Sequence, residues 1–338
     1  MDSNTYASGS KDSRQISRGI SGSTLKLIAI FTMLIDHIGA AILEKMLVER
    51  GLNDLAAGDV QAAQTFFAEN GTLFVIYSSM RLIGRIAFPI FCFLLIEGFL
   101  HTSNIQKYAS RLAVFALFSE IPFDLAFSGK LLSNGHQNVF ITLFIGLMVL
   151  FGFKLVEDVL INKKYIAVLS VIGAILVGCA LSYVVNGFAQ AFMKDGERSL
   201  DIMNLFTLAG VFSIVALLIY TWMCKKNSVQ RASVRFTDLA VLFAGMLLAE
   251  LLRADYAGFG ILTIAIMYGL RRSRIKSMLS GCITLTVMSF SEFSAFLNLP
   301  LIYFYNGKRG LKLKYIFYLF YPVHLLILYF ICYFMKLI

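Results

Sequence analysis

The stretch LKLIAIFTMLIDHIGAAILE, residues 25–44, decides the class of this chain. It is apolar and, at 1.5 Å of rise per residue, long enough to cross the roughly 30 Å hydrocarbon core of a bilayer. Yet Asp36 and His37 stand side by side in its middle. A charge near the bilayer centre costs about 2.5–3.5 kcal/mol on insertion scales, so ionisable groups at that depth face a protein interior or a wet cavity and mark functional paths. The segment therefore predicts a membrane span and, within it, a reaction or transport site.

Composition around this segment extends the conclusion to the whole chain. Of the 338 residues 58% are hydrophobic, 31 are Phe and only 15% are charged, and the mean hydropathy is +0.76. Such a chain cannot cover a water-facing surface and takes lipid as its solvent. The expected fold is all-α, a polytopic transmembrane helix bundle of about ten or eleven spans, near residues 25–44, 73–101, 109–127, 138–160, 165–186, 202–223, 236–252, 256–270, 277–291, 293–306 and 315–335. Spans after residue 250 are short, which predicts tilted, re-entrant or differently divided segments there. Residues 1–22 form a Ser-rich polar tail, expected to be disordered and cytoplasmic, and residues 23–338 a single transmembrane domain. The first span lacks a small-residue cleavage site after it and is expected to be a retained anchor. The five cysteines (Cys92, Cys179, Cys224, Cys282, Cys332) are odd in number and show no CxxC or CxxH spacing. They are expected to be reduced and structural, with no metal site.

Charge placement sets the orientation. With the tail cytoplasmic, most of the 30 basic residues fall in inner segments, including Lys11, Arg14, Arg18, Lys107, Lys225, Lys226, Arg271, Arg272, Lys308 and Arg309. The bias obeys the positive-inside rule and predicts a cytoplasmic N-terminus. It also explains the net charge of +10 without a nucleic-acid partner.

Helical rise then places the polar side chains by depth. His37 lies about 16 Å above Lys26, Arg85 about 18 Å above Glu97, Glu120 about 18 Å above Tyr108 and His324 about 13 Å above Tyr315. Asp36, His37, Arg85, Glu120 and His324 are thus expected to share one layer, with Asp124 a turn beyond. Glu250, Asp255, Glu292, His136 and Asn138 fall nearer the outer mouth. Arg81 and Arg85 share a helix face and require a carboxylate or an anionic ligand, with Asp36 or Glu120 expected to pair with Arg85. Pro89, Pro122 and Pro322 each lack an amide, which frees the carbonyls of Arg85, Phe118 and Tyr318 and predicts kinks beside the charged layer. A neutral imidazole is the best general base at neutral pH. Adjacent helical residues point about 100° apart, so Asp36 is a poor orienter for His37, and Glu120 or Asp124 from another helix is expected instead.

The segments LKLIAIFTMLIDHIG (25–39), RLIGRIAFPIFCFLLIEGFLHT (81–102), RLAVFALFSEIPFDLAF (111–127), NVFITLFIG (138–146), ADYAGFGIL (254–262), YNGKRG (305–310) and KYIFYLFYPVHLLIL (314–328) resemble the TraX family of bacterial membrane proteins. That family is similar to membrane acyltransferases that acetylate polysaccharides and glucosamine ends, which carry a basic residue eleven positions before a His in their first span. Lys26 and His37 match this spacing, with Lys where Arg is usual, and Glu97-Gly98 stands where those enzymes have Ser-Gly. The resemblance implies an acetyltransferase of the bacterial cytoplasmic membrane, taking acetyl-CoA from the cytosol and passing acetyl to an amine or hydroxyl of an envelope or secreted acceptor, a peptide N-terminus or a glycan. His37 would be the base, with Asp36, Arg85, Glu120 and Asp124 completing the catalytic set. Arg81, His324, Asn138, Asp255 and Tyr321 would meet substrate. Lys107, Arg111, Lys308 and Arg309 would bind CoA phosphates, with Gly307 and Gly310 of NGKRG letting backbone amides approach one. A transporter or flippase using the same buried layer is the alternative; no internal repeat of the kind common in transporters is visible.

Overall fold

The computed structural model describes residues 19–57, 60–133, 135–160, 168–179, 182, 202–226, 228–311 and 314–337. Tail residues 1–18, the loop 187–201 and parts of the span expected at 165–186 lie outside the described residues. In chain order the helices are α1 (Gly22–Ile38), α2 (Glu44–Glu49), α3 (Val60–Gly84), α4 (Ala87–His101), α5 (Ile105–Ser128) and α6 (Val139–Leu155). They continue with α7 (Val168–Cys179), then α8 (Ile202–Lys226), α9 (Val229–Leu251), α10 (Ala257–Gly269), α11 (Arg274–Met288), α12 (Asn298–Tyr303) and α13 (Lys314–Phe334). A π-helical turn, Gly39–Leu43, joins α1 to α2, and a 3-10 helix, Phe290–Leu297, precedes α12.

Among the described residues six helical runs are long and apolar enough to cross a membrane: Gly22–Glu49, Val60–His101, Val139–Asp158, Ala209–Lys226, Val229–Leu251 and Phe317–Phe334. No strand occurs among them, only isolated bridges between Ile20 and Tyr305 and between Gln137 and Ala254. The surface is apolar and the polar groups are inside: Phe118 is 72% and Phe290 80% exposed, whereas Asp124, Glu292 and His324 are buried. Hydroxyls in the helices bond back one turn, as Thr32 does to the Ile28 carbonyl (3.0 Å) and Thr263 to Phe259 (2.8 Å). This satisfies groups that lipid cannot. The chain is a multi-pass helical membrane protein.

The helices group into two compact units, one of residues 1–98, 117–133 and 266–338, the other of 99–116 and 134–265. In the first unit α1 and α13 run parallel with a nearly constant offset in residue number. Gly19 accepts from the Asn306 side-chain amide (2.8 Å), His37 meets His324 (2.7 Å) and the Ala41 carbonyl accepts from the Cys332 thiol (3.2 Å). The N-terminal end of the pair is latched by residues 304–311. Ser21 caps α1 through the Thr24 amide, the Gly22 and Ser23 amides donate to the Lys308 and Arg309 carbonyls, and Leu311 donates to Ser23 Oγ. Residues 19–22 are therefore ordered parts of the helix entry and not an extension of the tail.

The run expected as one span at 73–101 starts at Val60 and is interrupted at residues 85–86, one turn before Pro89. There the Ile86 amide bonds to Ile83 instead of Leu82. The freed Leu82 carbonyl accepts from Ser294 Oγ (2.7 Å), and the Ile86 carbonyl accepts from Asn298 Nδ2 (3.0 Å). The 3-10 helix and α12 thus brace the break. They fold back against α11, where the Cys282 thiol donates to the Ala295 carbonyl (3.1 Å). The spans expected at 277–291 and 293–306 are redivided accordingly: α11, with 15 residues, rises only about 22 Å.

In the second unit α6 and α9 pack around Ile145, Val149, Leu242, Ala249 and Ile261. A Cβ on Gly245 would strike Val149, and one on Gly152 would strike Val241. Small residues let helices approach closely in lipid, where packing replaces the hydrophobic drive. α8 packs on α9 through Ala216, Tyr220, Ala232 and Phe236, with a Tyr220–Ser233 hydroxyl bond of 2.9 Å.

Candidate functional site

The ionisable side chains of the first unit gather where α1, α3, α5 and α13 supply residues. Gly39 and Gly84 explain the close approach of α1 to α3. A Cβ on Gly84 would overlap Asp36, and one on Gly39 would lie 3.3 Å from Met80 Cβ. With the two backbones this near, Arg81 Nη1 donates to Asp36 Oδ2 at 2.9 Å, with both side chains largely shielded.

His37 projects from α1 toward α13. Its Nδ1 lies 2.7 Å from His324 Nε2, and His324 Nδ1 donates to the Phe320 carbonyl at 2.8 Å. The two rings are within 10° of parallel with centroids 5.0 Å apart. That separation exceeds the nitrogen contact by about two ring radii, so the imidazoles meet edge to edge in nearly one plane, the geometry of a hydrogen bond and not of stacking. Phe127 and Tyr321 pack edge-on against the His37 ring at 5.5 and 5.9 Å. His324 and Tyr321 are buried, whereas His37 is half-buried.

Several expectations change. The ring contact of His37 is with His324, and Asp124 Oδ2 accepts from the Ser133 amide at 2.7 Å. Arg85 has a carboxylate partner that the sequence did not suggest: its Nε donates to Glu292 Oε1 at 3.2 Å, and Glu292 is 1% exposed. Depth counted along a straight span had put Glu292 at the outer mouth; the return of the 3-10 helix along α11 brings it to the α3–α4 break instead. Glu120 lies half-buried in α5, in the same unit.

Lys308 and Arg309 lie exposed on the latch. Gly307 and Gly310 have φ of +73° and +72°, and a Cβ on Gly310 would strike Ser21 and Ser23. The Lys308 amide already donates to Asn306 Oδ1 (2.9 Å). The NGKRG turn thus serves as a latch over the start of α1, with the cationic side chains of Lys308 and Arg309 exposed beside it.

Asn138, Asp255, Lys107 and Arg111 belong to the second unit. Asn138 caps α6, accepting from the Phe140 amide (3.0 Å), and donates to the Ala116 carbonyl (2.9 Å). Asp255 Oδ1 lies 3.4 Å from His136 Nε2, and its backbone carbonyl accepts from the Thr142 hydroxyl. Lys107 opens α5 exposed, its amide donating to Asn104 Oδ1 at 2.8 Å, and Arg111 is half-buried one turn on. The residues missed from the sequence are Ser294 and Asn298, whose signal was a set of polar residues in the otherwise apolar run SEFSAFLN, residues 291–298.

The TraX protein family profile matches residues 21–195 and 197–332. The probable fimbrial assembly protein FimC, serogroup H1, of Dichelobacter nodosus is 27% identical over 264 residues, spanning 75% of this chain and 82% of that protein. No solved structure matches the chain. With nearly all of its helical bundle inside the family's bounds, the chain belongs to the TraX family.

Proposed function

We propose that this membrane protein is an acetyltransferase of the bacterial cytoplasmic membrane that moves an acetyl group from cytosolic acetyl-CoA to an amine or hydroxyl on an envelope or secreted acceptor. The observation that carries the proposal is the His37–His324 contact of 2.7 Å beside the Asp36–Arg81 pair. An imidazole held by a second group, next to a cation and within a lipid-embedded bundle, has the parts of a general base with an electrostatic partner. His37 takes a proton from the acceptor N–H or O–H as that atom attacks the thioester carbonyl. The C–S bond breaks, and return of the proton to sulfur releases CoA as its thiol. Arg81, paired with Asp36, the residue next to His37 in the chain, stabilises charge developing on the carbonyl oxygen. Lys308 and Arg309, exposed in the same unit as His37, supply cations for the CoA phosphates. The name of the Dichelobacter nodosus relative supports a pilus or fimbrial subunit as acceptor.

Mass spectrometry of envelope and secreted material tests the proposal, comparing cells that carry the intact protein with cells that carry His37→Ala. The expected result is loss of one acetylated species, a fall of about 10²- to 10⁴-fold if the base is removed, with membrane insertion unchanged. Radiolabelled acetyl-CoA given to the purified protein should leave stable label on an acceptor fraction. Label taken up into proteoliposomes without modifying anything would favour transport.

A further inference from the structure

The contact between the two imidazoles carries more than proximity, because the Phe320 carbonyl fixes the position of every proton along the chain of bonds. A carbonyl can only accept, so the 2.8 Å contact places a proton on His324 Nδ1. With both rings neutral, His324 Nε2 then holds a bare lone pair. Two ring nitrogens 2.7 Å apart share one proton, which must come from His37 Nδ1. A neutral imidazole protonated at Nδ1 has its remaining lone pair at Nε2. We infer that His324 is a positioning residue that locks His37 in the Nδ1–H tautomer, making Nε2 of His37 the atom that accepts the proton of the acceptor. The inference rests on the proposal that His37 is a general base, and it specifies which nitrogen acts and what holds it.

The surroundings fit that role. Tyr321 packs edge-on against both rings, at 5.9 Å from His37 and 5.5 Å from His324, and Phe320 lies over His324 at 4.8 Å. His324 is 4% exposed, so water does not compete for its nitrogens, whereas His37 keeps an open portion. A second residue that fixes the tautomer and ring angle of a working imidazole is a recurring device, filled elsewhere by a carboxylate or a carbonyl. Here an imidazole fills it. A proton arriving at His37 Nε2 lets the bridging proton shift to His324 Nε2, so the pair as a whole gains one proton and His324 takes the charge facing the Phe320 carbonyl.

The chain has four histidines, few enough to resolve by ¹⁵N solid-state NMR of the full-length, histidine-labelled protein in lipid bilayers, with His37→Gln and His324→Gln samples assigning the signals. The wild type should show His37 protonated at Nδ1 and bare at Nε2, and a through-bond coupling between His37 Nδ1 and His324 Nε2. His324→Leu should leave His37 as a mixture of tautomers and lower acetyl transfer at least tenfold. In His324→Gln the side-chain oxygen can still accept from Nδ1–H, so the tautomer and much of the transfer should return. A wild-type spectrum with His37 protonated at Nε2, or one unchanged by His324→Leu, overturns the inference without needing any activity. If the spectra agree while His37→Ala leaves every acetylated product intact, the tautomer assignment stands and the acetyltransferase proposal falls.

Discussion

Arg85 and Glu292 form an ion pair of 3.2 Å across the break between α3 and α4, with the Glu292 side chain 2% exposed. Breaking a buried pair by removing one partner leaves an uncompensated charge and costs about 3–5 kcal/mol, whereas removing both costs far less. Arg85→Ala and Glu292→Ala should therefore each lower thermal stability sharply in detergent, and the double variant should recover most of the loss. Unfolding curves of the four proteins check this. Additive losses would show that the pair is not coupled.

Gly84 lies where α3 touches α1, since an added methyl would overlap Asp36. Overpacking of this kind costs about 1–3 kcal/mol. Gly84→Ala should push the helices apart, lengthen the Asp36–Arg81 contact and depress any activity that depends on His37, while Gly71→Ala on the same helix, with nothing within 4 Å, should stabilise by about 0.5–1 kcal/mol. Comparing melting temperatures of the two variants separates local crowding from the general gain of Ala on this helix.

Ser294 and Asn298 satisfy carbonyls of Leu82 and Ile86 at 2.7 and 3.0 Å. A buried acceptor stripped of its donor costs about 1–3 kcal/mol. Ser294→Ala and Asn298→Leu should each destabilise by that amount and raise hydrogen exchange in residues 82–86, measured by mass spectrometry in nanodiscs. Unchanged exchange there would mean that another donor replaces them.

Arg253 follows α9 with φ +52°, its amide bonded to the Glu250 carbonyl and that of Ala254 to Ala249, both at 2.9 Å. This is a Schellman motif with Arg at the position that prefers Gly. Because the left-handed conformation costs an L-residue about 1–2 kcal/mol, partly offset by the greater chain entropy of Gly, Arg253→Gly should stabilise by about 0.5–1 kcal/mol. A rise of a few degrees in melting temperature is the expected outcome.

Much of the fold was legible from residues 25–44 outward, because span length, lipid exposure and polar interruptions are local properties. The Asp36-His37 pair, the isolated His324 and the break one turn before Pro89 could all be placed from helical periodicity and the chemistry of Pro. The partners could not. Glu292 was misplaced because depth counted along a straight span ignores the return of residues 290–303 against α11, and Asp124 was proposed for His37 because a carboxylate is the commoner orienter. The glycines of NGKRG suggest a close approach of amides to a phosphate, and only the structure shows that the turn also latches the start of α1.

Composition and spacing alone determined that this chain is a multi-pass helical bundle carrying costly ionisable groups in its first, second and last apolar segments. Only tertiary structure decided that His37 meets His324, that Asp36 takes Arg81 and that Arg85 takes Glu292. The reason is physical: insertion in lipid depends on each segment's own side chains, whereas pairing depends on which helices lie adjacent and on register. Here both are set by glycines at the α1–α3 contact and by the parallel alignment of α1 with α13.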